Sequence, residues 1–434
     1  MPKHLRRLLD YCLIAIGPLW VAIAMYVLAK GEAWALALNG KLFADNPYWL
    51  LLVMPLGFAL IRYSTMKIAP QAAGSGIPQA MTVIQTGRVR TFLKTLISPI
   101  QAVYKPILVI LGMLCGASIG REGPAVQIGS ALMTGWSFAA VKRVRIDPRT
   151  LVIIGGAAGL ASAFTTPLAG AMYAFEELGS RRHFRSRAFA VLCIVLSAWA
   201  SYRLFDGYSP LALNVPVPSL PTVGVLIFEC VICGLLAGAM TWIMGIGLPR
   251  ILPTTRTPAQ AALLAGSVGV VLAALAIACQ GMTLGSGNAI AYQMLNLDPA
   301  QNETVGFGLM KWLSTTLSFA SGIPGGILAP SLSIGAGLGQ DLSLYFIDGN
   351  DRVFLIAAGM AAFLAGVIQA PLTATLVVVE MTGMYDHILA MLIMSFGATW
   401  CAQLLCRVSL YETLMQRILI PAAPAPTTAP ASKT

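Results

Sequence analysis

The sequence predicts an all-α, polytopic membrane protein made of two related halves, with several helices that break inside the apolar region. Of the 434 residues, 57% are hydrophobic and only 10% are charged, whereas about a quarter of the residues in a soluble domain are charged. The apolar residues form long runs, not the segments of about 10 residues with alternating polarity that build a membrane β-barrel. Similar segments also follow one another in the same order in both halves of the chain.

Seven apolar stretches have about the length of 20 residues with which a helix crosses a bilayer. They cover residues 11–29, 48–64, 98–116, 188–204, 222–248, 260–279 and 387–405. No small-residue cleavage site follows the first stretch, so we expect an uncleaved span preceded by a cytoplasmic N-terminus at residues 1–10. We assign residues 11–210 to the first half of the membrane domain, residues 211–419 to the second half, and the Pro/Ala-rich residues 420–434 to a disordered tail.

The formal net charge of +11 does not require a nucleic-acid partner. The basic residues form short clusters between the apolar stretches, for example in residues 142–149 and 181–187. Because Lys and Arg in short loops orient membrane helices, we expect the lipid bilayer to be the partner of this chain and nucleic acid not to be.

The eight cysteines are scattered and lie mostly inside apolar runs. Cys230 and Cys233 form a CxxC motif, but no second pair and no nearby His would complete a metal site. We therefore expect buried, unreactive thiols, with no metal and no cofactor.

An internal repeat relates the two halves. Four positions recur at a spacing of 204 residues, namely Gly155 and Gly359, Pro167 and Pro371, Leu168 and Leu372, Glu176 and Glu380. The GSG of residues 74–76 also recurs at 285–287, and the break that ends at Pro124 recurs as the break that ends at Pro330. Related halves with broken helices are typical of secondary transporters, whose sites lie where half-helix ends meet. The residues alone leave open whether the repeats are inverted or parallel.

Three glycine-rich breaks interrupt the apolar runs, at residues 74–78 (GSGIP), 120–124 (GREGP) and 325–330 (GGILAP). A proline in each break suits the first turn of a helix, and free N–H groups at a helix start attract anions. We therefore expect the three starts to hold a small anion without a fixed positive charge, weakly enough to release it. The Ser75 hydroxyl would be a neutral donor there, or alternatively an ordinary helix cap.

Glu122 lies in an apolar region, where carboxylates are costly and therefore functional candidates. As an anion tethered beside the helix starts, its side chain would compete with a diffusible anion. Protonation would remove its charge and free the position, so that protons exchange for anions. The alternative is a structural cap paired with Arg121.

Other polar side chains also lie in apolar context. Glu176 and Glu177 end an apolar run, and one of them is a candidate for the second acidic station of a proton relay. The alternative is a solvated interfacial pair. Glu380 repeats Glu176 and is expected to be a structural helix-end residue, whereas Glu229 has no assigned role. Tyr411 is by default an interfacial anchor.

The three breaks, in this order and followed by Tyr411, resemble the signatures of the CLC family of chloride channels and chloride/proton antiporters. The resemblance covers roughly residues 65–415. It implies an inverted-repeat helical fold and a homodimer with one pathway per subunit. It further implies transport of chloride and protons across the bacterial inner membrane, with both termini cytoplasmic.

The resemblance also implies roles for individual residues. The central chloride would be coordinated by Ser75, Tyr411 and the backbone amides of Ile327 and Leu328. Glu122 would be the external gating glutamate and Glu177 the internal proton glutamate. Supporting positions would be Gly74, Gly76, Pro78, Arg121, Gly123 and Gly326.

The sequence departs from the family pattern in three respects. Leu328 replaces the usual Phe of the third signature, and Gln79 stands where Glu is common. The cytoplasmic regulatory domains of many eukaryotic members are missing, which fits a prokaryotic-type member. Ser75, in place of a proline or a bulky apolar residue, favours chloride over nitrate or fluoride, and Glu177 favours antiport over a passive channel.

Two other functions remain as alternatives. A passive anion channel of the same fold would share every anion-site residue and move no protons. An intramembrane serine protease would need Ser118 as the nucleophile and His387 as the base, because a Ser–His pair is the minimum for this chemistry. We expect the protein not to be an enzyme.

Overall fold

A chain in lipid has to satisfy its backbone hydrogen bonds internally, and this chain does so with helices. A computed structural model describes residues 3–141, 146–179, 187–205, 211, 213, 220–252, 257–297, 305–346 and 351–419. Within these residues there are twenty α-helices and no strand. The helices are α1 (Lys3–Ala15), α2 (Gly17–Asp45), α3 (Leu50–Ile68), α4 (Ile77–Thr86), α5 (Val89–Phe92), α6 (Pro99–Leu114), α7 (Glu122–Ala140), α8 (Pro148–Phe164), α9 (Pro167–Tyr173), α10 (Arg187–Leu204), α11 (Val223–Trp242), α12 (Leu248–Ile251), α13 (Pro258–Ala278), α14 (Asn288–Leu295), α15 (Phe307–Ala320), α16 (Leu328–Phe346), α17 (Arg352–Ile368), α18 (Pro371–Thr382), α19 (Ile388–Leu405) and α20 (Leu410–Leu419).

Short 3-10 and π segments join or extend several of these helices. The 3-10 segments are Pro47–Trp49, Pro70–Ala72 and Tyr385–His387, and the π segments are Ala174–Leu178 and Ile243–Gly247.

Six helical segments of the described residues are long and apolar enough to cross a membrane. They are Leu8–Asp45, Pro47–Ile68, Arg187–Leu204, Val223–Ile251, Pro258–Ala278 and Tyr385–Leu405. Six of the seven predicted spans are thus confirmed. The seventh, 98–116, forms only the 16 residues of α6.

The first span is longer than predicted. The sequence-based boundary at residue 29 reflects the charged residues Lys30 and Glu32, yet α2 continues to Asp45. It can continue because Glu32 finds a partner inside the protein, the guanidinium of Arg121 at 2.7 Å. Pro18, which lacks an N–H, begins α2 and separates it from α1.

The predicted repeat is present in the backbone. In the first half Thr165, with a φ of +59°, follows the last residue of α8, and α9 begins at Pro167. In the second half Gln369, with a φ of +53°, follows the last residue of α17, and α18 begins at Pro371. The left-handed residue and the following proline therefore turn the chain in the same way in both halves.

Glycine contacts bring α7 onto α8 and α16 onto α17. A β-carbon on Gly129 would overlap the carbonyl of Gly155, and one on Gly335 would overlap the carbonyl of Gly359. Membrane helices pack closely through small residues. The two helices whose starts form the candidate site, α7 and α16, are thus held against their neighbours in the same way.

Three sequence predictions fall outside the described residues. They are the basic clusters within residues 142–145 and 180–186 and the tail at residues 420–434.

Candidate ion pathway

The three glycine-rich breaks meet in the structure. Gly120 and Gly326 exchange two backbone hydrogen bonds of 2.7 Å, and the N–H of Gly325 donates to the carbonyl oxygen of Gly74 at 3.2 Å. These bonds satisfy backbone groups that the broken helices leave without intrahelical partners. Segments separated by about 50 and 200 residues in the sequence therefore form one buried junction.

Helices α4, α7 and α16 begin directly at this junction. No side chain caps the start of α4, where Gly76 has a φ of +105° and Pro78 follows, and none caps the start of α7. Within the described residues the N–H groups of Ile327 and Leu328 have no hydrogen-bond acceptor. The free N–H groups and the positive ends of the helix dipoles favour an anion here.

Two buried hydroxyl groups join the helix starts. Ser75 is 3% exposed and Tyr411 is fully buried, and the two hydroxyls face each other. Neither has a hydrogen-bond partner of good geometry among the described residues. Buried hydroxyls nearly always have one, so both are available to a ligand. For Tyr411, the default prediction of an interfacial anchor is wrong.

Glu122 is 1% exposed and lies at the same junction, at the first position of α7. Its carboxylate faces its own backbone N–H and the backbone N–H of Ala329, although neither carboxylate oxygen makes a hydrogen bond of good geometry in the described residues. One oxygen lies against Gly120, where a β-carbon would overlap it. The carboxylate thus occupies a position between two helix starts that suits a free anion.

In the described residues Arg121 forms its salt bridge with Glu32 and not with Glu122, so the pairing that the alternative proposed is not observed. One guanidinium nitrogen of Arg121 contacts Glu32 at 2.7 Å, and another donates to the carbonyl of Ala163 at 3.0 Å. Glu32, on α2, was not a candidate from the sequence, because nothing in the pattern shows that α2 reaches the junction.

The glycines of the breaks allow this close approach. A β-carbon on Gly123 would overlap Oγ of Ser75, and one on Gly326 would lie 2.8 Å from the backbone nitrogen of Gly123. Gly74, with a φ of +67°, adopts a conformation that favours glycine.

A buried lysine, which was not among the candidates from the sequence, lies behind the Ser75 turn. Nζ of Lys105 on α6 donates to Oε1 of Gln127 at 2.6 Å and lies 2.8 Å from the position of a β-carbon on Gly76. Its signal in the sequence is a lysine inside the apolar stretch 98–116.

Glu177 lies on the π segment that follows α9, and its Oε1 is buried without a hydrogen-bond partner in the described residues. The Ser409 side chain faces it. Tyr173, four residues earlier, is fully buried with an unpartnered hydroxyl and has Glu177 and Tyr411 as neighbours. Tyr173 is therefore a neighbour of both Glu177 and Tyr411 of the anion site. The sequence signal for it was a spacing of four residues, which places it on the same helical face as Glu177.

The remaining candidates do not face this site. The carboxylate of Glu176 accepts hydrogen bonds at the start of α18, from the N–H groups of Leu372 and Thr373. Glu229 is fully buried beside Gly339 and Gly359, with both carboxylate oxygens unpartnered among the described residues.

The two residues of the serine-protease alternative have different neighbours in the structure. The Ser118 hydroxyl bonds to the Thr315 hydroxyl at 2.9 Å, whereas the His387 ring packs edge-on against Phe354. No cluster of three His, Cys, Asp or Glu residues suited to a metal occurs in the part of the chain that the structure describes.

Residues 57–403 match the sequence profile of the family described as "Voltage gated chloride channel". The chain belongs to this family, the CLC family. It is 31% identical over 408 residues to the H(+)/Cl(-) exchange transporter ClcA of Vibrio cholerae, covering 88% of this chain and 82% of the relative. It is 30% identical over 431 residues to the ClcA transporter of Citrobacter koseri, covering 90% and 84%.

Solved structures of CLC proteins share the fold. A slow cyanobacterial Cl-/H+ antiporter superposes with a TM-score of 0.74 at 25% identity, covering 94% of this chain and 98% of that one. A CLC-type fluoride/proton antiporter superposes with a TM-score of 0.70 at 21% identity, covering 95% and 99%. The predicted fold class, an all-α CLC membrane fold, is thereby confirmed, and the CLC relatives compared above are transporters, not enzymes.

Proposed function

We propose that this protein is a secondary active transporter that exchanges chloride for protons across the membrane. The observation that carries the proposal is the buried carboxylate of Glu122 at the helix starts that also present the hydroxyls of Ser75 and Tyr411, all without a hydrogen-bond partner of good geometry in the described part of the chain. The ClcA relatives, which are named as H(+)/Cl(-) exchange transporters, support it.

The anion site is made of neutral donors. Chloride would contact the hydroxyls of Ser75 and Tyr411 and the backbone N–H groups of Ile327 and Leu328. Since these donors carry no full charge, they replace the hydration of the ion without holding it too tightly to leave. The ammonium of Lys105 behind the turn contributes a favourable potential, but it is bonded to Gln127 and does not contact the ion.

Glu122 is the gate in this proposal. When it is ionised, its carboxylate occupies the place between the starts of α7 and α16 and excludes a second anion there. When a proton neutralises the carboxylate, the positive helix ends no longer attract it, and chloride takes its place. A cycle of binding and release therefore moves a proton across the membrane in one direction and a chloride ion in the other.

Protons reach the other side of the membrane through Glu177. The hydroxyls of Tyr411 and Tyr173 and the buried carboxylate oxygen of Glu177 form a series of polar groups. The series starts at the anion site and continues toward Ser409. We expect Glu177 to be the internal proton acceptor.

The assembly and location are also proposals. Each chain contains a complete set of site residues, so a homodimer would have one pathway per subunit. By analogy with the bacterial relatives, we propose the bacterial inner membrane, with both termini in the cytoplasm.

The decisive experiment imposes a chloride gradient on proteoliposomes and records external chloride and pH together. The wild type is expected to drive protons uphill in the direction opposite to chloride. Glu177→Gln should keep chloride flux and stop proton movement, Glu122→Ala should pass chloride without protons, and Asp45→Asn, at the exposed end of α2, should leave both fluxes unchanged.

The same measurement separates the proposal from the passive channel. Chloride flux in the wild type with no movement of protons would establish the channel and reject exchange. Absence of chloride flux would reject both.

A further inference from the structure

The second copy of the Ser75 turn has no role in the pathway described so far. Gly285 and Gly287 have φ values of +62° and +83°, close to the +67° and +105° of Gly74 and Gly76. Between them Ser286 is 2% exposed, and α14 starts directly after the turn, as α4 does after the first one. The two turns therefore share backbone conformation, burial and the helix start.

A buried lysine lies behind this turn as well. Lys311 on α15 is fully buried, and its Cε lies 3.0 Å from the position of a β-carbon on Gly287. Its ammonium donates to the carbonyl oxygens of Thr283 at 2.9 Å and Gly285 at 2.6 Å. A buried lysine amine thus lies behind the second turn, as Lys105 lies behind the first.

The turn lines a cavity of about 610 Å³. Ser286 lines this cavity, none of the hydrogen bonds in the described part of the chain involves its hydroxyl, and no side chain caps the start of α14. The first N–H groups of α14, those of Asn288 and Ala289, also lack acceptors in that part of the chain. A buried hydroxyl and two free N–H groups, all at the edge of one cavity, are donors without an acceptor.

The charge of the cavity favours an anion. The cavity lining also includes the basic residues Lys30 and Arg121, with Glu32 as the acidic lining residue. Glu32 is paired with Arg121, which leaves Lys30 uncompensated. The amine of Lys311 lies behind the turn, where it donates to backbone carbonyls.

We infer that the Ser286 turn is a second anion-binding site, which holds a small inorganic anion such as chloride through the Ser286 hydroxyl and the N–H groups of Asn288 and Ala289. Arg121, which lines the same cavity, immediately precedes Glu122 in the chain. The site therefore concentrates anions next to the gate, in the way that a cleft of one charge sign raises the local concentration of its ligand. This role at the gate rests on the proposed function, whereas binding itself does not.

Bromide tests binding directly. Crystals of the full chain in bromide should show an anomalous peak within hydrogen-bond distance of Ser286 Oγ, in addition to any peak beside Ser75. The peak should disappear in Asn288→Asp, because the new carboxylate lies at the helix start and competes with the ion. A peak beside Ser75 without one beside Ser286 would overturn this inference and leave the proposed exchange intact.

A matched pair of variants tests the role in transport. Asn288→Asp and Gln293→Glu each exchange an amide for a carboxylate on α14 and in the same cavity, but only the first lies at the helix start. Asn288→Asp should raise the half-saturating chloride concentration about two- to fivefold, the range expected for a charge at a helix end, and Gln293→Glu should raise it less. An equal effect of both variants, or bromide that persists in Asn288→Asp, would reject the site.

Discussion

Glu176 of the first half caps the start of α18 in the second half, and Glu380 of the second half caps the start of α9 in the first half. The carboxylate of Glu176 accepts hydrogen bonds from the N–H groups of Leu372 and Thr373, at 3.1 and 2.7 Å. The carboxylate of Glu380 accepts them from Leu168 and Ala169, at 3.0 and 2.7 Å. Because donors and acceptors correspond under the repeat spacing of 204 residues, the two halves are related by a two-fold axis at this contact.

Removing either cap should destabilise the protein without preventing transport. We expect Glu176→Ala and Glu380→Ala each to cost about 1.5–3 kcal/mol, the contribution of hydrogen bonds to a charged acceptor. Thermal unfolding in detergent measures the loss, and the exposed Glu412→Ala is the control. Equal melting temperatures for all three variants would show that the caps do not support the interface between the halves.

Gly123→Ala should damage the anion site. Its new β-carbon would overlap Ser75 Oγ, so Ser75 has to move away from the ion position. The control is Gly135→Ala on the same helix, where a β-carbon meets nothing within 4 Å and alanine favours the helix by about 1 kcal/mol. Chloride flux should fall strongly in the first variant and persist in the second; wild-type flux in Gly123→Ala would contradict the placement of Ser75.

Tyr173→Phe should slow proton transport more than chloride transport. The substitution removes only the buried hydroxyl that neighbours both Glu177 and Tyr411. The ratio of protons to chloride ions in the gradient experiment should fall, whereas the exposed Tyr202→Phe should leave it unchanged. A wild-type ratio in Tyr173→Phe would exclude this hydroxyl from the proton path.

Glu229→Gln should leave both fluxes and the melting temperature close to those of the wild type. Glu229 packs beside Gly339, eleven residues along α16 from Leu328, which is about 16 Å at 1.5 Å per residue. An unpaired ionised carboxylate is too costly to bury, so we expect the neutral acid, which an amide resembles in shape. Loss of proton coupling in this variant would instead place Glu229 on a proton path.

The sequence was sufficient for the parts of the site that follow from local backbone chemistry. Glycine next to proline predicts the starts of α4 and α7, and a carboxylate in an apolar run singles out Glu122. The recurrence of similar segments in the same order then identifies the internal repeat. The role of Tyr411, by contrast, came from family resemblance, because a tyrosine near a span has the same local pattern whether it contacts lipid or an ion.

Other residues became visible only in three dimensions. Glu32 and Lys105 lie on helices whose apolar pattern predicts spans and says nothing about which face meets the junction. Tyr173 and Ala329 contribute through the direction of one hydroxyl and one N–H group, and such directions depend on the packing of helices that are distant in the sequence.

The amino-acid sequence by itself determined that this chain is helical and membrane-spanning, that its halves are related, and where its helices break, because those properties depend on hydrophobicity, spacing and the conformations open to glycine and proline. Only the tertiary structure decided which polar groups meet. A buried carboxylate becomes a gate, a cap or a packed neutral acid according to the N–H groups and charges that other segments bring to it, and Glu122, Glu176 and Glu229 show these three outcomes in one chain.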